Sequence, residues 1–300
     1  MNEIIIKIAP IFLIFLSGNI LKRIGIFKKE DADLFLKIVF YAAAPSLVIV
    51  SVSSLALEFA FIYLPVIAML IILCTSVLAR ATGRKLGLER PTLGVFLVGS
   101  MIMNTHFILP FVIAVYGKDG MARYSLFDLG NALVVFTFVY YVACKYGTNG
   151  YDPKSISRKL FFSPLLWALM IGITLNAYNI RMPGVADDFF QLLGNMVTPL
   201  VMLALGIYFS LNIKHAAPAA CVLLIRMFFG FILGLIFSQV FGLEGLTRTI
   251  VLLSSAAPVG YNTLTFSSLE NLDKEFAAEI ISLSILLGFV STSIIMIFFS

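Results

Sequence analysis

Apolar residues run through this chain in ten long segments: about 4–21, 31–53, 59–79, 92–116, 121–143, 158–178, 185–209, 216–241, 246–268 and 275–299. As a helix, a run of about twenty such residues spans ~30 Å, the thickness of a bilayer's hydrocarbon core. A helix that meets lipid on one side and protein on the other is apolar all round, so length and flanks define these elements better than periodicity does. Gly83, Gly117, the stretch Gly147-Thr148-Asn149-Gly150 and Pro183-Gly184 punctuate the intervals between segments. The pattern predicts an all-α polytopic membrane protein with ten transmembrane helices. The opening stretch through Leu16 has no basic n-region and no small-residue cleavage site, and is expected to be a retained first span.

The polar stretch 147–157 falls almost at mid-chain and divides a first block, 1–146, from a second, 158–300. When the first block is shifted by 154 residues, each of its five segments lands on one of the second. Ala32-Asp33 with Phe35 and Pro45 falls on Ala186-Asp187 with Phe189 and Pro199, and Asp119 falls on Asp273. Pro65 finds Pro218 one residue out of step. Five crossings is an odd number, so the second block is expected to enter the membrane from the opposite side. The expectation is two inverted five-helix repeats, an architecture of secondary transporters.

The composition, 60% hydrophobic and 12% charged, excludes a disordered chain, a nucleic-acid module and a soluble enzyme. The formal net charge of +5 reads as a topology signal. Fourteen cations lie in the turns after segments 1, 3, 5, 7 and 9: Lys22, Arg23, Lys28, Lys29, Arg80, Arg84, Lys85, Arg90, Lys145, Lys154, Arg158, Lys159, Lys214 and Lys274. The opposite turns hold four: Lys118, Arg123, Arg181 and Arg248. This puts the first set in the cytoplasm and both termini on the extracytoplasmic side of the cell's inner membrane, and leaves no excess that calls for nucleic acid. Cys74, Cys144 and Cys221 form no metal spacing and are expected to be packed core thiols.

Segment 4 carries Ser100 and then Asn104-Thr105-His106-Phe107-Ile108-Leu109-Pro110 near its middle. Proline has no N–H and disfavours helix at the residue before it, and polar groups at this depth require partners. A broken helix satisfies both, with Pro110 expected in the first turn of its outer half. At the 154-residue shift this stretch overlays Pro258-Val259-Gly260-Tyr261-Asn262-Thr263-Leu264, which follows Ser254-Ser255-Ala256-Ala257. Two interruptions at corresponding places in inverted halves point to a midplane binding site, and half-helix N-termini suit a carboxylate. Pro45 and Pro199 are also matched but lack the asparagine, and are read mainly as kinks lining the same cavity.

Ionisable groups inside the segments are few. Asp128 and Asn131 are spaced i, i+3 on one face of segment 5; Arg226 lies well inside segment 8; Glu279 begins segment 10. Such groups pair with one another or line a wet path, and a static pair of Arg226 with Asp128 or Glu279 is one reading. Asp128 is the stronger candidate for coupling or gating. His106, inside the break, is placed either to carry a coupling proton or to act as a neutral hydrogen-bonding group. His215, beside Lys214 in a turn, reads as a surface histidine. There is no phosphate loop, HExxH or GxSxG, and two histidines are too few for a transition-metal site. No enzymatic activity, cofactor or metal is expected.

In order along the chain, Gly18 through Lys22-Arg23-Ile24-Gly25, Tyr41…Pro45, Asn104…Pro110 with Tyr116-Gly117, Asp128…Asn131, Pro199…Gly206 and Ala256-Ala257-Pro258 resemble the auxin efflux carrier family, over about residues 8–298. The resemblance implies broken crossover helices 4 and 9, a scaffold of helices 1, 2, 6 and 7 that is often dimeric, and an elevator-like transport unit of helices 3–5 and 8–10. It carries the family's crossover asparagine onto Asn104 and its crossover prolines onto Pro110 and Pro258. Family members commonly have glycines between that asparagine and proline, where this chain has His106 and Leu109, a bulkier crossing. The resemblance also implies substrates such as dicarboxylates or auxin-like weak acids. The expected function is secondary transport of small organic anions, with Asn104, His106, Pro110, Pro258, Tyr261 and Asn262 at the substrate and Asp128, Asn131, Arg226 and Glu279 in coupling or gating. A proton or the membrane potential is favoured as driving force over sodium. A sodium symporter of the bile-acid type and a passive anion channel are the alternatives.

Overall fold

The computed structural model describes residues 2–54, 59–148, 164–210 and 213–299. A helix or a pair of helices lies at each of the ten apolar segments, and no strand occurs among the described residues. Of these, six stretches are long and apolar enough to cross a membrane: Glu30–Ser53, Tyr63–Gly83, Thr105–Tyr146, Gly184–Tyr208, Ala216–Val240 and Lys274–Phe299. Asn149 to Asp152, Lys154, Arg158 and Lys159, and with them most of the mid-chain linker, lie outside the described residues.

The chain divides into two compact units, one of residues 1–61, 106–125 and 161–209, the other of 62–105, 126–160 and 210–300. In the first, helix Asn2–Arg23 packs on helix Val197–Tyr208 at backbone distance. A Cβ at Gly18 would stand 2.4 Å from the Leu203 carbonyl oxygen, and one at Gly206 would stand 2.1 Å from that of Phe15. Small residues allow this approach where lipid supplies no hydrophobic drive between helices. The contact is pinned by Asn19 Nδ2, which donates to the Gly206 carbonyl at 3.2 Å, and by Lys22 Nζ, which donates to the Phe209 carbonyl at 2.8 Å. Helix Ala44–Ser53 packs on Pro164–Ala177, where Asn176 Nδ2 donates to the carbonyls of Val52 and Ser53 at 3.1 Å. Both carbonyls lie in the last turn of their helix, where the regular i+4 donors run out.

Both matched prolines of this unit sit just after a step in the helix. Pro45 follows a π-turn over Val39–Ala43, and Pro199 follows the step between Gly184–Gly194 and Val197–Tyr208. Proline offers no N–H to the carbonyl four residues back, and the helix yields there. Both prolines thus follow an irregular turn of the helix.

In the second unit, the end of helix Thr105–Val134 passes Tyr63–Gly83 so closely that a Cβ at Gly130 would lie 2.0 Å from the Pro65 carbonyl oxygen. Asp273 caps the last helix, Lys274–Phe299: its Oδ1 accepts from the Phe276 N–H at 3.0 Å, and its Oδ2 accepts from Thr92 Oγ1 at 2.8 Å. An aspartate at a helix start takes up an orphan N–H and complements the dipole. Thr92 belongs to helix Arg90–Met101, so the cap also ties these two helices together. Cys144 is buried while Cys74 and Cys221 are half-buried, and all three are free thiols, which corrects the expectation of three core residues.

Candidate functional site

Two helix breaks define the site, and both lie in the second unit. Helix Arg90–Met101 ends at Ile102, whose extended backbone (φ −78, ψ 125) turns the chain out of the helix. Helix Gly245–Ser255 ends before Pro258, and helix Asn262–Leu269 starts beyond it. The two extended stretches pair as an isolated antiparallel bridge between Met103 and Val259. The Asn104 N–H donates to the Pro258 carbonyl at 2.8 Å and the Gly260 N–H donates to the Ile102 carbonyl at 2.9 Å. Each break thereby satisfies backbone groups of the other, which helices alone cannot do once interrupted. Gly260 makes the pairing possible, because a Cβ there would stand 2.1 Å from Ile102 Cγ2 and 2.9 Å from the Met103 carbonyl oxygen.

Side chains reinforce the bridge. Asn104, buried, donates from Nδ2 to the Val259 carbonyl at 3.2 Å. The Val259 N–H donates to Ser284 Oγ at 3.1 Å from the last helix. Asp128 Oδ1 accepts from Asn131 Nδ2 at 3.0 Å, and the Asp128 carboxylate also accepts from the Thr105 hydroxyl. Asp128 and Asn131 are thus hydrogen-bonded across one helical turn, and Thr105 ties them to the first break.

Arg226 is fully buried inside a π-turn, Leu224–Phe229, in the middle of the stretch Ala216–Val240. Its Nε donates to the Ala257 carbonyl at 3.3 Å and its Nη2 donates to the Ser255 carbonyl. A cation at the carbonyl end of helix Gly245–Ser255 complements the negative pole of its dipole. Gly230 leaves room for the contact, since a Cβ there would stand 2.5 Å from the Ser255 carbonyl oxygen. Carbonyl capping replaces the ion pair with Asp128 or Glu279 that the sequence allowed. Glu279 is instead engaged by His215, accepting from its backbone N–H at 3.0 Å and lying 3.2 Å from Nδ1. His215 packs edge-on against Phe276, and about a third of its side chain stays exposed. Next to it, Lys214 and Glu275 form an exposed ion pair at 2.5 Å, and the Glu275 carboxylate holds the Lys214 ammonium above the ordinary lysine range.

Several buried polar atoms of this unit have no hydrogen-bond partner: the hydroxyls of Ser100, Ser254 and Thr263, Asn131 Oδ1 and Arg226 Nη1. Ser100 and Ser254 each lie in the last turn of a half-helix that runs into a break, and Thr263 lies in the first turn of the half-helix that leaves the second. Buried polar groups in folded proteins are nearly always bonded, so these atoms are candidates for contact with a bound water or ligand. Tyr261 and Asn262, half-buried, stand at the start of helix Asn262–Leu269. A cavity of about 300 Å³ in this unit is lined by Arg80, Arg84, Lys145 and neighbouring apolar residues, none of them from the breaks.

His106 and Pro110 belong to the first unit. His106 is half-buried and Pro110 is buried, in the second turn of helix Thr105–Val134 instead of the first. The break is therefore set at Ile102–Asn104 by the backbone pairing, several residues before the proline.

Sequence reasoning singled out ten residues, of which Asn104, Asp128, Asn131, Arg226, Pro258, Tyr261, Asn262 and Glu279 lie in the second unit and His106 and Pro110 in the first. It missed Ser284, Thr263 and the part played by Gly260, because a serine, a threonine or a glycine within an apolar run carries no distinguishing signal.

A family model described as "Membrane transport protein" matches residues 3–150 and 153–296 of the chain. The chain belongs to this membrane transport protein family. It is the auxin efflux carrier type that the ordered motifs resemble. An uncharacterized transporter of Methanothermobacter thermautotrophicus is 25% identical over 289 residues, covering 95% of this chain and 94% of its own. An uncharacterized transporter of Methanocaldococcus jannaschii is 28% identical over 283 residues, covering 90% of each. The chain is a multi-pass membrane transporter and not an enzyme.

Proposed function

We propose that the chain is a secondary transporter of small organic anions, carboxylates or dicarboxylates, working by an elevator-type alternating-access mechanism in the cell's inner membrane. The observation that carries this reading is the pair of helix breaks bonded to each other through Met103 and Val259, surrounded by buried polar atoms without partners. Interrupted helices that meet in mid-membrane are the means by which transporter folds present backbone dipoles to a substrate. The positive start of helix Asn262–Leu269 suits a carboxylate, and Asn104, Tyr261 and Asn262 supply donors. Arg226 adds a buried positive charge whose Nη1 is unbonded. The proposed substrate residues also include Pro110, which follows the family pattern, and His106, which stands where family members commonly have glycine.

Asp128, held by Asn131 and Thr105, is the coupling or gating group of this reading, and a proton or the membrane potential the driving force. In this reading segments 1, 2, 6 and 7 are the scaffold; they fall together in one unit, which also takes in residues 106–125 of segments 4 and 5. A homodimer through these helices, two inverted repeats over 1–146 and 158–300, and extracytoplasmic termini complete the proposal. The unpartnered hydroxyls of Ser100, Ser254 and Thr263 favour sodium coupling as the second reading.

Uptake of labelled malonate and malate by reconstituted wild type, Asn104→Ala and Asn262→Ala tests the site. The proposal expects saturable wild-type uptake that both substitutions reduce while the protein stays monodisperse. Unchanged uptake in both would remove the breaks from the substrate path.

A further inference from the structure

We propose that the cavity of about 300 Å³ beside Arg80, Arg84 and Lys145 is a binding site for the headgroup of an anionic phospholipid. It lies wholly within the second unit and shares no residue with the helix breaks. Its cations come from two helices. Arg80 stands in the last turn of Tyr63–Gly83 and Arg84 is the C-cap of that helix, while Lys145 stands in the last turn of Tyr140–Tyr146. Helix Arg90–Met101 packs against both and supplies Leu93 and Leu97 to the lining.

Two contacts position these cations. The Arg80 guanidinium lies over the ring of Phe138, 5.3 Å from its centroid, a cation–π contact that joins the two sides of the cavity. Arg90 Nη2 donates to the Lys145 carbonyl at 2.9 Å, which ties down the end of the helix that carries Lys145. A cation in the last turn of a helix complements its dipole, and cations on one side of the membrane set a protein's orientation. Neither effect calls for three of them around one cavity.

The surroundings favour a lipid over a free anion. Leu73, Val77, Arg80 and Arg84 follow one another at spacings of four, three and four, so they share one face of helix Tyr63–Gly83. Leu73 is 44% exposed and Val77 67%, and both arginines are exposed. The face that carries the charges is therefore apolar and open further into the span. Across the cavity Tyr141 and Lys145, also four residues apart, are exposed. Tyrosines such as Tyr141 and Tyr146 suit the membrane–water boundary, where a ring meets lipid and its hydroxyl meets headgroups. A phosphodiester at the three cations would lay its acyl chains along Leu73 and Val77. A soluble anion uses the charges and leaves the apolar face bare. Basic pockets between membrane helices take anionic headgroups by this combination.

Native mass spectrometry of the delipidated full chain in detergent, titrated with phosphatidylglycerol or phosphatidylcholine, tests the site without a transport assay. Wild type is expected to bind phosphatidylglycerol at least about tenfold more tightly than phosphatidylcholine. A cation near a membrane surface contributes about fivefold, so the combined variant R80Q/R84Q/K145Q is expected to lose that preference. The combination of Arg23→Gln, Lys28→Gln and Lys274→Gln, which removes three exposed cations outside the cavity, is expected to keep it. An undiminished preference in R80Q/R84Q/K145Q would overturn the proposal, and so would an equal loss in both combinations. Glycerol phosphate, which has the headgroup charge without acyl chains, is expected not to displace phosphatidylglycerol. Displacement at equal concentration would make this a site for soluble anions and overturn the lipid assignment. If R80Q/R84Q/K145Q fails to fold, Arg84→Gln, at an exposed helix end, decides: binding of phosphatidylglycerol weakened several-fold supports the site and unchanged binding overturns it.

Discussion

Asn104 and Pro258, one from each helix break, are hydrogen-bonded to each other, the asparagine's backbone N–H donating to the proline's carbonyl at 2.8 Å. They are also the two residues that the 154-residue shift of the sequence superimposes. The pairing is antiparallel, so Ile102 meets Gly260 on one side of the bridge and Asn104 meets Pro258 on the other. Sequence comparison and backbone geometry coincide at this one pair.

The bridge has no space for a side chain at Gly260. Gly260→Val is expected to separate the breaks, destabilise the protein by about 1–3 kcal/mol and abolish uptake. Thermal unfolding in detergent, read beside uptake, checks both effects, and a stable, active variant would show the bridge to be dispensable.

Asn104→Ala removes the Nδ2 bond to the Val259 carbonyl and any bond to substrate. Uptake is expected to fall at least about tenfold, the equivalent of one such bond, with a smaller change in melting temperature.

Arg226→Met should leave the Ser255 and Ala257 carbonyls buried without their donor, at a cost of about 1.5–3 kcal/mol. Arg226→Lys keeps the charge but cannot reach two carbonyls as a planar fork does, and is expected to lie between Met and wild type. Equal stability of all three proteins would mean that the cap contributes nothing.

Glu279 and Glu275 stand one helical turn apart but have different surroundings. Glu279 is buried against His215, while Glu275 pairs with Lys214 in water, where such pairs contribute little. Glu279→Ala is expected to lower the melting temperature by several degrees and Glu275→Ala to leave it unchanged.

The ten apolar stretches were legible because a helix in lipid must be apolar over its whole crossing, and each is matched by a helix or a helix pair. The breaks were legible because Asn104, Pro110 and Pro258 are costly in an uninterrupted span. The detail was not. Pro110 suggested a break next to itself, but pairing of Ile102 to Asn104 with the other break sets its place. Arg226 invited a carboxylate partner, yet the acceptors are main-chain carbonyls that only an interrupted helix exposes, and every residue type has those.

The central claim, transport of small organic anions, is tested most directly by uptake of a labelled carboxylate panel into proteoliposomes with proton and sodium gradients imposed separately. The account predicts saturable uptake of at least one dicarboxylate, driven by a proton gradient or the membrane potential and lost in Asn104→Ala. Folded protein that takes up no member of the panel, or that passes anions as a conductance without saturation, would contradict it.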